Sequence, residues 1–418
     1  MEGPWPDHWP AAKGEEVVTL ADVVDRHRII VCVGSGGVGK TTAAAALGLW
    51  GARRGRRTVV ITIDPARRLA TSLGLKAVGR EPREIPRELL QAGDIRAGGT
   101  LAAVMLDQKG AWDALVERHA PSPEVRDRVL ANAFYQSLSQ TFAGSHEYMA
   151  IEELSQLHED GRYDLIVVDT PPTKHALDFL EAPQRLADFL DRGVIRWFVR
   201  PYLLATSTSM RVMNRTLSFV LRRLEDATGV SALITISEFF GAMSGMFEGF
   251  HGRVERAYGI LRGRATAFLL VTSPDEQMLG EAEFLSGKMA ELRMPLRGVI
   301  FNRTHSECPL PRGLAGFGEG RDAAGDQFAA MRGIVERALA ARGDAVDPQG
   351  VQALVENFLY YQTIARGEGL RMEAFTRGLR RGVPTARVPN FPEGVHDIGG
   401  LTAMQPYLFG AEGERLPS

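Results

Sequence analysis

The sequence predicts a doubly wound, mostly parallel α/β sheet with an α-helical subdomain inserted into it. Three features of the 418 residues point there. Gly34-Ser35-Gly36-Gly37-Val38-Gly39-Lys40-Thr41-Thr42 stands between the apolar run Ile29 to Val33 and the alanine-rich Ala43 to Leu47, the strand, glycine loop, helix order of a Walker A phosphate loop. Thr58 to Asp64 and Asp164 to Asp169 are apolar runs ending on carboxylates, as strands buried on both faces do when ligand groups gather at their carboxyl ends. Long helical stretches, roughly 108–160 and 178–262, interrupt these runs.

In the loop, glycines let the backbone curl until successive N–H groups converge on phosphate oxygens, and the helix behind adds the positive end of its dipole. The expected nucleotide contacts are therefore Gly34, Ser35, Gly36, Gly37, Val38, Gly39, Lys40, Thr41 and Thr42. Lys40 is expected to reach the β and γ phosphates, and Thr41 to offer its hydroxyl to Mg²⁺. The ligand class is a nucleoside triphosphate.

Composition narrows the setting. A formal net charge of −2 with 24% charged residues provides no global field for nucleic acid, so no nucleic-acid partner is expected. Cys32 and Cys308, the two cysteines, form neither a disulfide framework nor a Cys-x-x-Cys metal site. Residues 1–16 are rich in Pro and Trp, without the apolar core of a signal peptide. No run of about 18 uninterrupted apolar residues follows. These features point to a cytoplasmic protein.

Taking the chain in order, Arg53-Arg54-Gly55-Arg56-Arg57 closes the loop helix in positive charge near a glycine stop. Thr58 to Ile63 is the second strand, and it delivers Asp64, followed by Pro65 and Ala66, beside the loop. Leu101 to Leu106 is another short strand. Ser122-Pro123-Glu124 reads as an N-cap with proline at the first helical position, within a helical region from 108 to 159. Asp164 to Asp169 has the Walker B form, whose terminal carboxylate holds Mg²⁺ directly or through water.

From about 177 to 261 the pattern is helical, with seven arginines from Arg192 to Arg223 among residues such as Trp197, Phe198, Met210 and Met213. Ile236, Phe239, Phe240, Met243, Phe247 and Phe250 then repeat at one-face spacing. Such faces pack as the core of a helical layer, or lie on an anionic membrane or an apolar partner. A strand returns at Ala265 to Val271, followed by Ser273-Pro274-Asp275-Glu276 as a capping box, a helix to about Arg293, and a strand from Leu296 ending at Asn302. A glycine-rich loop at 313–326, helices to about Arg380, a short strand near Ala386 to Pro389 and a closing helix complete the chain.

The assembled residues resemble the ATPase family that contains arsenical pump-driving ATPases and the cytosolic ATPases that target tail-anchored membrane proteins. The resemblance is carried by Gly34 to Thr42, by Asp64-Pro65-Ala66, by Asp169-Thr170-Pro171-Pro172-Thr173-Lys174-His175-Ala176-Leu177, and by Val299-Ile300-Phe301-Asn302. It covers most of the chain in order. It implies a P-loop NTPase that hydrolyses ATP with Mg²⁺, as a dimer that closes around two ATP molecules while hydrolysis reshapes helical subdomains. It also implies that Asp64, which belongs to the metal site with Thr41 and Asp169, activates or positions the attacking water, and that Asn302 recognises adenine.

Four departures stand out. Ser35 replaces the lysine that family members carry at the loop's second position, so Arg67 or Arg68 is a candidate arginine finger. Pairing with a paralogue that bears the lysine is the alternative, as is slow hydrolysis. The zinc-bridging Cys-x-x-Cys and the arsenite-binding cysteines of relatives have no counterparts, so neither zinc nor an arsenite response is expected. Lys174 replaces a glycine usual in the switch-like loop. The expected division is an ATPase domain of 1–107, 161–177 and 263–418, with a helical subdomain of 108–160 and 178–262. The expected function is a nucleotide-driven switch, homodimeric or heterodimeric, that binds apolar helices of client membrane proteins. The alternative is an energising subunit of a membrane transport system, peripheral at the membrane.

Overall fold

The computed structural model describes residues 18–63, 68–75, 78–79, 81–90, 99–106, 108–141, 145–171, 235, 239, 250–308, 323–342 and 347–410. Its centre is an eight-stranded sheet of β1 (Ile29–Val33), β2 (Arg57–Thr62), β3 (Arg83–Glu84), β4 (Thr100–Met105), β5 (Leu165–Asp169), β6 (Thr266–Thr272), β7 (Leu296–Thr304) and β8 (Thr385–Pro389). The spatial order is β3-β4-β2-β5-β1-β6-β7-β8. Every neighbouring pair is parallel except β3 with β4 at one edge. From β1 the chain moves out to β2 and β4 on one side, returns through β5, and crosses to β6 on the other. Strand order therefore reverses at β1, the place where a doubly wound sheet opens a crevice for ligands.

The strands are apolar because both faces are covered. Every residue of β1, β5 and β6 is buried, which favours continuous Val, Ile and Leu over alternation. Period 2 still sorts the side chains between two cores. Ile29, Val31, Val33, Val59, Ile61, Ile166 and Val168 face one core, and Ile30, Cys32, Val60, Leu165 and Val167 the other.

The second face is covered by α1 (Leu20–Arg26), α2 (Lys40–Arg53) and short helices α3 (Arg68–Ser72) and α4 (Arg87–Leu90). The first is covered by α5 (Gln108–His119), α6 (Pro123–Ala131), α7 (Ala133–Thr141), α8 (Ser145–Asp160), α9 (Phe250–Arg262) and α10 (Glu276–Glu291). α11 (Ala323–Arg342) and α12 (Pro348–Gly378) share a small core of Met331, Val351 and Val355, while Met372 and Phe375 near the end of α12 join the first core. α13 (Ile398–Phe409) returns to the second face, where Phe409 stacks on Trp50 of α2 with ring centroids 4.2 Å apart. Among the described residues no helix is long and apolar enough to cross a membrane.

α2 lies unusually close to the sheet. A Cβ at Gly48 would run into Val60 and Leu101, and one at Gly51 into Leu165 and Thr58. These glycines are packing residues that let the helix backbone approach its strands.

Several expectations need correction at their boundaries. Helix α10 starts at Glu276 with Asp275 as N-cap and no side-chain cap bond; the Ser273 hydroxyl bonds the Asp275 carboxylate instead, so the capping box at Ser273 does not form. The last residues of the glycine-rich stretch at 313–326 belong to α11. Ser122 does cap α6, accepting from the Val125 N–H. The basic, apolar segment from 177 to 249 lies outside the described residues apart from Thr235 and Phe239, of which Phe239 is buried against Phe134 and Tyr135.

Two outcomes follow. Gly48→Ala should destabilise the fold by about 1–3 kcal/mol, because a methyl group must be forced into a closed helix–sheet seam; chemical unfolding measures it. At the opposite end of the sheet, hydrogen bonds from Arg57 hold the Asp164 carboxyl at about 2, below its usual 3.8. A depressed carboxylate stabilises the folded state above its unfolded value and loses that contribution as pH falls. The unfolding midpoint of Asp164→Asn should therefore lie below wild type at neutral pH and converge on it between pH 3.8 and about 2.

Candidate functional site

The phosphate loop leaves β1 at Gly34 and enters α2 at Lys40. Gly34, Gly37 and Gly39 have φ of 151, 80 and 93 degrees, left-handed values that side chains resist. Space closes the case at two of them. A Cβ at Gly34 would strike the Val271 carbonyl at the end of β6, and one at Gly39 would strike the Asn302 amide. The loop is thus pressed between the ends of β6 and β7. Lys40 is buried, and its ammonium donates to the Ser35 carbonyl at 2.7 Å.

Parity brings the carboxylate to this loop. Leu165 and Val167 face the α2 side of the sheet, so Asp169, two residues on, points the same way. The Thr41 hydroxyl donates to Asp169 Oδ2 at 2.7 Å, and the Thr62 hydroxyl at the end of β2 donates to the same oxygen at 3.1 Å. Asp169 is 1% exposed, and a carboxylate at that depth requires such donors. Thr170 continues the line, donating its hydroxyl to the Cys32 carbonyl at 2.7 Å. Burial, reinforced by Asp169, pushes the Cys32 thiol far up, which leaves it unreactive.

The residues present fit a Mg²⁺–nucleotide. A hydroxyl and a carboxylate, both hard oxygen donors suited to Mg²⁺, meet at the N-terminus of a helix. That helix follows a glycine cradle whose Cα positions at Gly34 and Gly39 leave no room for side chains.

The structure brings Lys40, Thr41, Asp169 and Asn302 together around Gly34 to Gly39. Asn302 is buried, and its Nδ2 donates to the Val38 carbonyl at 2.8 Å, so it braces the loop from the β7 side. Arg68 opens α3 with an exposed side chain. Asp64 and Arg67 lie outside the described residues, as do Pro172 to Leu177 of the switch-like element. Thr62 was not singled out from the sequence, though a hydroxyl closing an apolar strand next to the loop is a readable signal. Glu368, which holds His305, and Gln362, which holds the Cys308 backbone, just after β7, gave none.

Comparisons with known proteins identify the family. A family model described as anion-transporting ATPase matches residues 27–310. The chain is similar to ATPase GET3 of Malassezia globosa, 31% identical over 176 residues that make up 42% of this chain and 48% of the relative. It is similar to ATPase GET3 of Podospora anserina at 23% over 288 residues, 68% of this chain and 76% of the relative. An Aquifex aeolicus protein provisionally named arsenical pump-driving ATPase 1 is 24% identical over 271 residues, 61% of this chain and 58% of the relative. Across the Malassezia protein the chain thus spans about half of the relative's length.

Gly39→Ala tests the cradle. A methyl group at φ 93 degrees should cost about 1–3 kcal/mol of backbone strain and displace Asn302. Titration with a fluorescent ATP analogue should show binding weakened at least about tenfold, with the far-ultraviolet circular dichroism of the wild type retained.

Proposed function

We propose that this chain, which belongs to the anion-transporting ATPase family, is a Mg²⁺-dependent ATPase that works as a dimeric, nucleotide-driven switch and binds apolar helices of client membrane proteins. The observation that carries the enzymatic part is the Thr41–Asp169 hydrogen bond beside buried Lys40. It joins the phosphate loop to the end of β5, which supports the reading that a triphosphate and its metal are held there.

In this reading the loop N–H groups and Lys40 hold the β and γ phosphates, while Thr41 and Asp169 hold the metal. Bound Mg²⁺ supplies neutralisation of charge on the phosphate oxygens. Asp64 positions the attacking water. Asn302 serves adenine recognition with its amide oxygen while its Nδ2 stays on Val38. Ser35 is buried and cannot supply a cation, so Arg67, Arg68 or a partner subunit provides the charge that the transferred phosphoryl group needs.

Client binding is supported by the sequence of the 177–250 segment, with its methionines and aromatic residues, since flexible thioethers repack around dissimilar apolar helices. The names of the relatives divide between GET3 and a pump-driving ATPase, and the two cysteines of this chain weigh against an arsenite-responsive pump.

Purified protein should release phosphate from ATP only with Mg²⁺, and Lys40→Ala should reduce turnover by about 100-fold or more; Mg²⁺-independent or Lys40-independent turnover refutes the site. Asp64→Asn with ATP should copurify membrane proteins that carry single apolar helices, more than wild type with ADP does. One stoichiometric transporter in their place would favour the energising-subunit reading.

A further inference from the structure

The long helix α12 buries two polar side chains where apolar ones would pack, Glu368 and Gln362, and with the exposed Arg371 they reach the segments that follow β6 and β7. Glu368 is 6% exposed. One of its oxygens accepts the backbone N–H of His305 at 2.8 Å, and the other stands 2.8 Å from His305 Nδ1. Gln362, also buried, exchanges two hydrogen bonds with the Cys308 backbone, at 3.2 and 3.0 Å. The Arg371 guanidinium donates to the Pro274 carbonyl at 2.9 Å, on the segment that follows β6.

These contacts converge on Asn302. On β7, Phe301 pairs with Arg387 of β8 and Thr304 pairs with Pro389. Three steps on one strand thus oppose two on the other, which is a β-bulge. Within it Arg303 adopts φ 58 degrees, a left-handed conformation that a non-glycine residue holds only when its surroundings impose it. The anchors stand on either side. Before the bulge, Phe301 meets Phe375 of α12 edge to face at 5.8 Å, and after it His305 is held at both its N–H and its ring by Glu368. Between them Asn302 reaches Val38 of the phosphate loop.

A carboxyl group buried beside Ala365, Met372 and Phe375 is costly unless both its oxygens are satisfied, and an apolar residue there would serve packing alone better. We propose that Glu368 is a positioning residue for nucleotide recognition. By fixing His305 it holds the bulge that aims Asn302, and so sets affinity for the base end of ATP without touching the phosphates. This rests on the reading of Asn302 as the adenine contact.

The test compares ATP with inorganic tripolyphosphate, which engages the loop but has no base. Glu368→Ala should raise the KM for ATP about tenfold with kcat within about twofold of wild type, the pattern of lost uniform binding, while inhibition by tripolyphosphate weakens by a clearly smaller factor, which reflects only the brace of Asn302 on Val38. Glu368→Gln keeps an oxygen for the His305 N–H and should lie between the two, which preserves the test if the alanine variant folds poorly. Adding Glu368→Ala to Asn302→Ala should have little further effect, since the two act as one unit. Equal weakening of ATP and tripolyphosphate, an unchanged KM, or full additivity with Asn302→Ala would overturn the assignment. Asn302→Ala alone separates the layers. If it weakens ATP selectively and Glu368→Ala does not, only the positioning role is wrong; if it treats both ligands alike, adenine recognition by Asn302 is wrong and the inference falls with it.

Discussion

A carboxylate buried at the end of a central strand is the constraint around which this molecule is arranged. Asp169 is 1% exposed and receives hydroxyl donors from Thr41 on α2 and Thr62 on β2. Each donor comes from a different element, so the charge is tolerated only if α2, β2 and β5 hold their mutual register. The sheet order, with β5 lying between β1 and β2, supplies that register. Glycines at 48 and 51 supply the distance, because α2 must lie close to the strands for Thr41 to reach. Packing and site chemistry are one requirement here.

The same logic explains why the loop is clamped from the other side. Gly34 abuts the end of β6, and Gly39 abuts Asn302 in the last residues of β7, which runs on to Thr304 rather than ending at Asn302. A cradle of backbone N–H groups is useful only if it is already formed when phosphate arrives, since preorganised donors need no rearrangement in the transition state. The bulge in β7 and its contacts with α12 stand on either side of Asn302, on the same side of the loop.

Much of this was legible in the sequence. The apolar runs of β1, β2, β5, β6 and β7 stand out because strands buried on both faces lack polar interruption. The loop stands out through its glycines, and period 2 is enough to turn Asp169 and Asn302 toward α2. What was hidden has physical causes too. β3 is two exposed polar residues, Arg83 and Glu84, held by pairing to β4 rather than by their own propensity. α1 is seven residues long, too short to show a helical period, and a Thr19–Asp22 capping box sets its start. The start of α10 shifted because Asp275 competes with the backbone for the Ser273 hydroxyl. Glu368 and Gln362 look like the solvent face of a helix until the fold shows what lies against them. Asn302 was legible near the end of a strand, but no local pattern announces the register shift in β7 that surrounds it.

The central claim is that Thr41 and Asp169 form the metal-holding corner of a phosphate site. The most direct measurement is the Mg²⁺ dependence of ATP binding by isothermal titration, in wild type and in Asp169→Asn. On this account ATP binds wild type far more tightly with Mg²⁺ than without, and the substitution removes that advantage while binding in the absence of metal persists. If the Mg²⁺ dependence were the same in both proteins, the corner would be a structural joint and the metal would have to be held elsewhere.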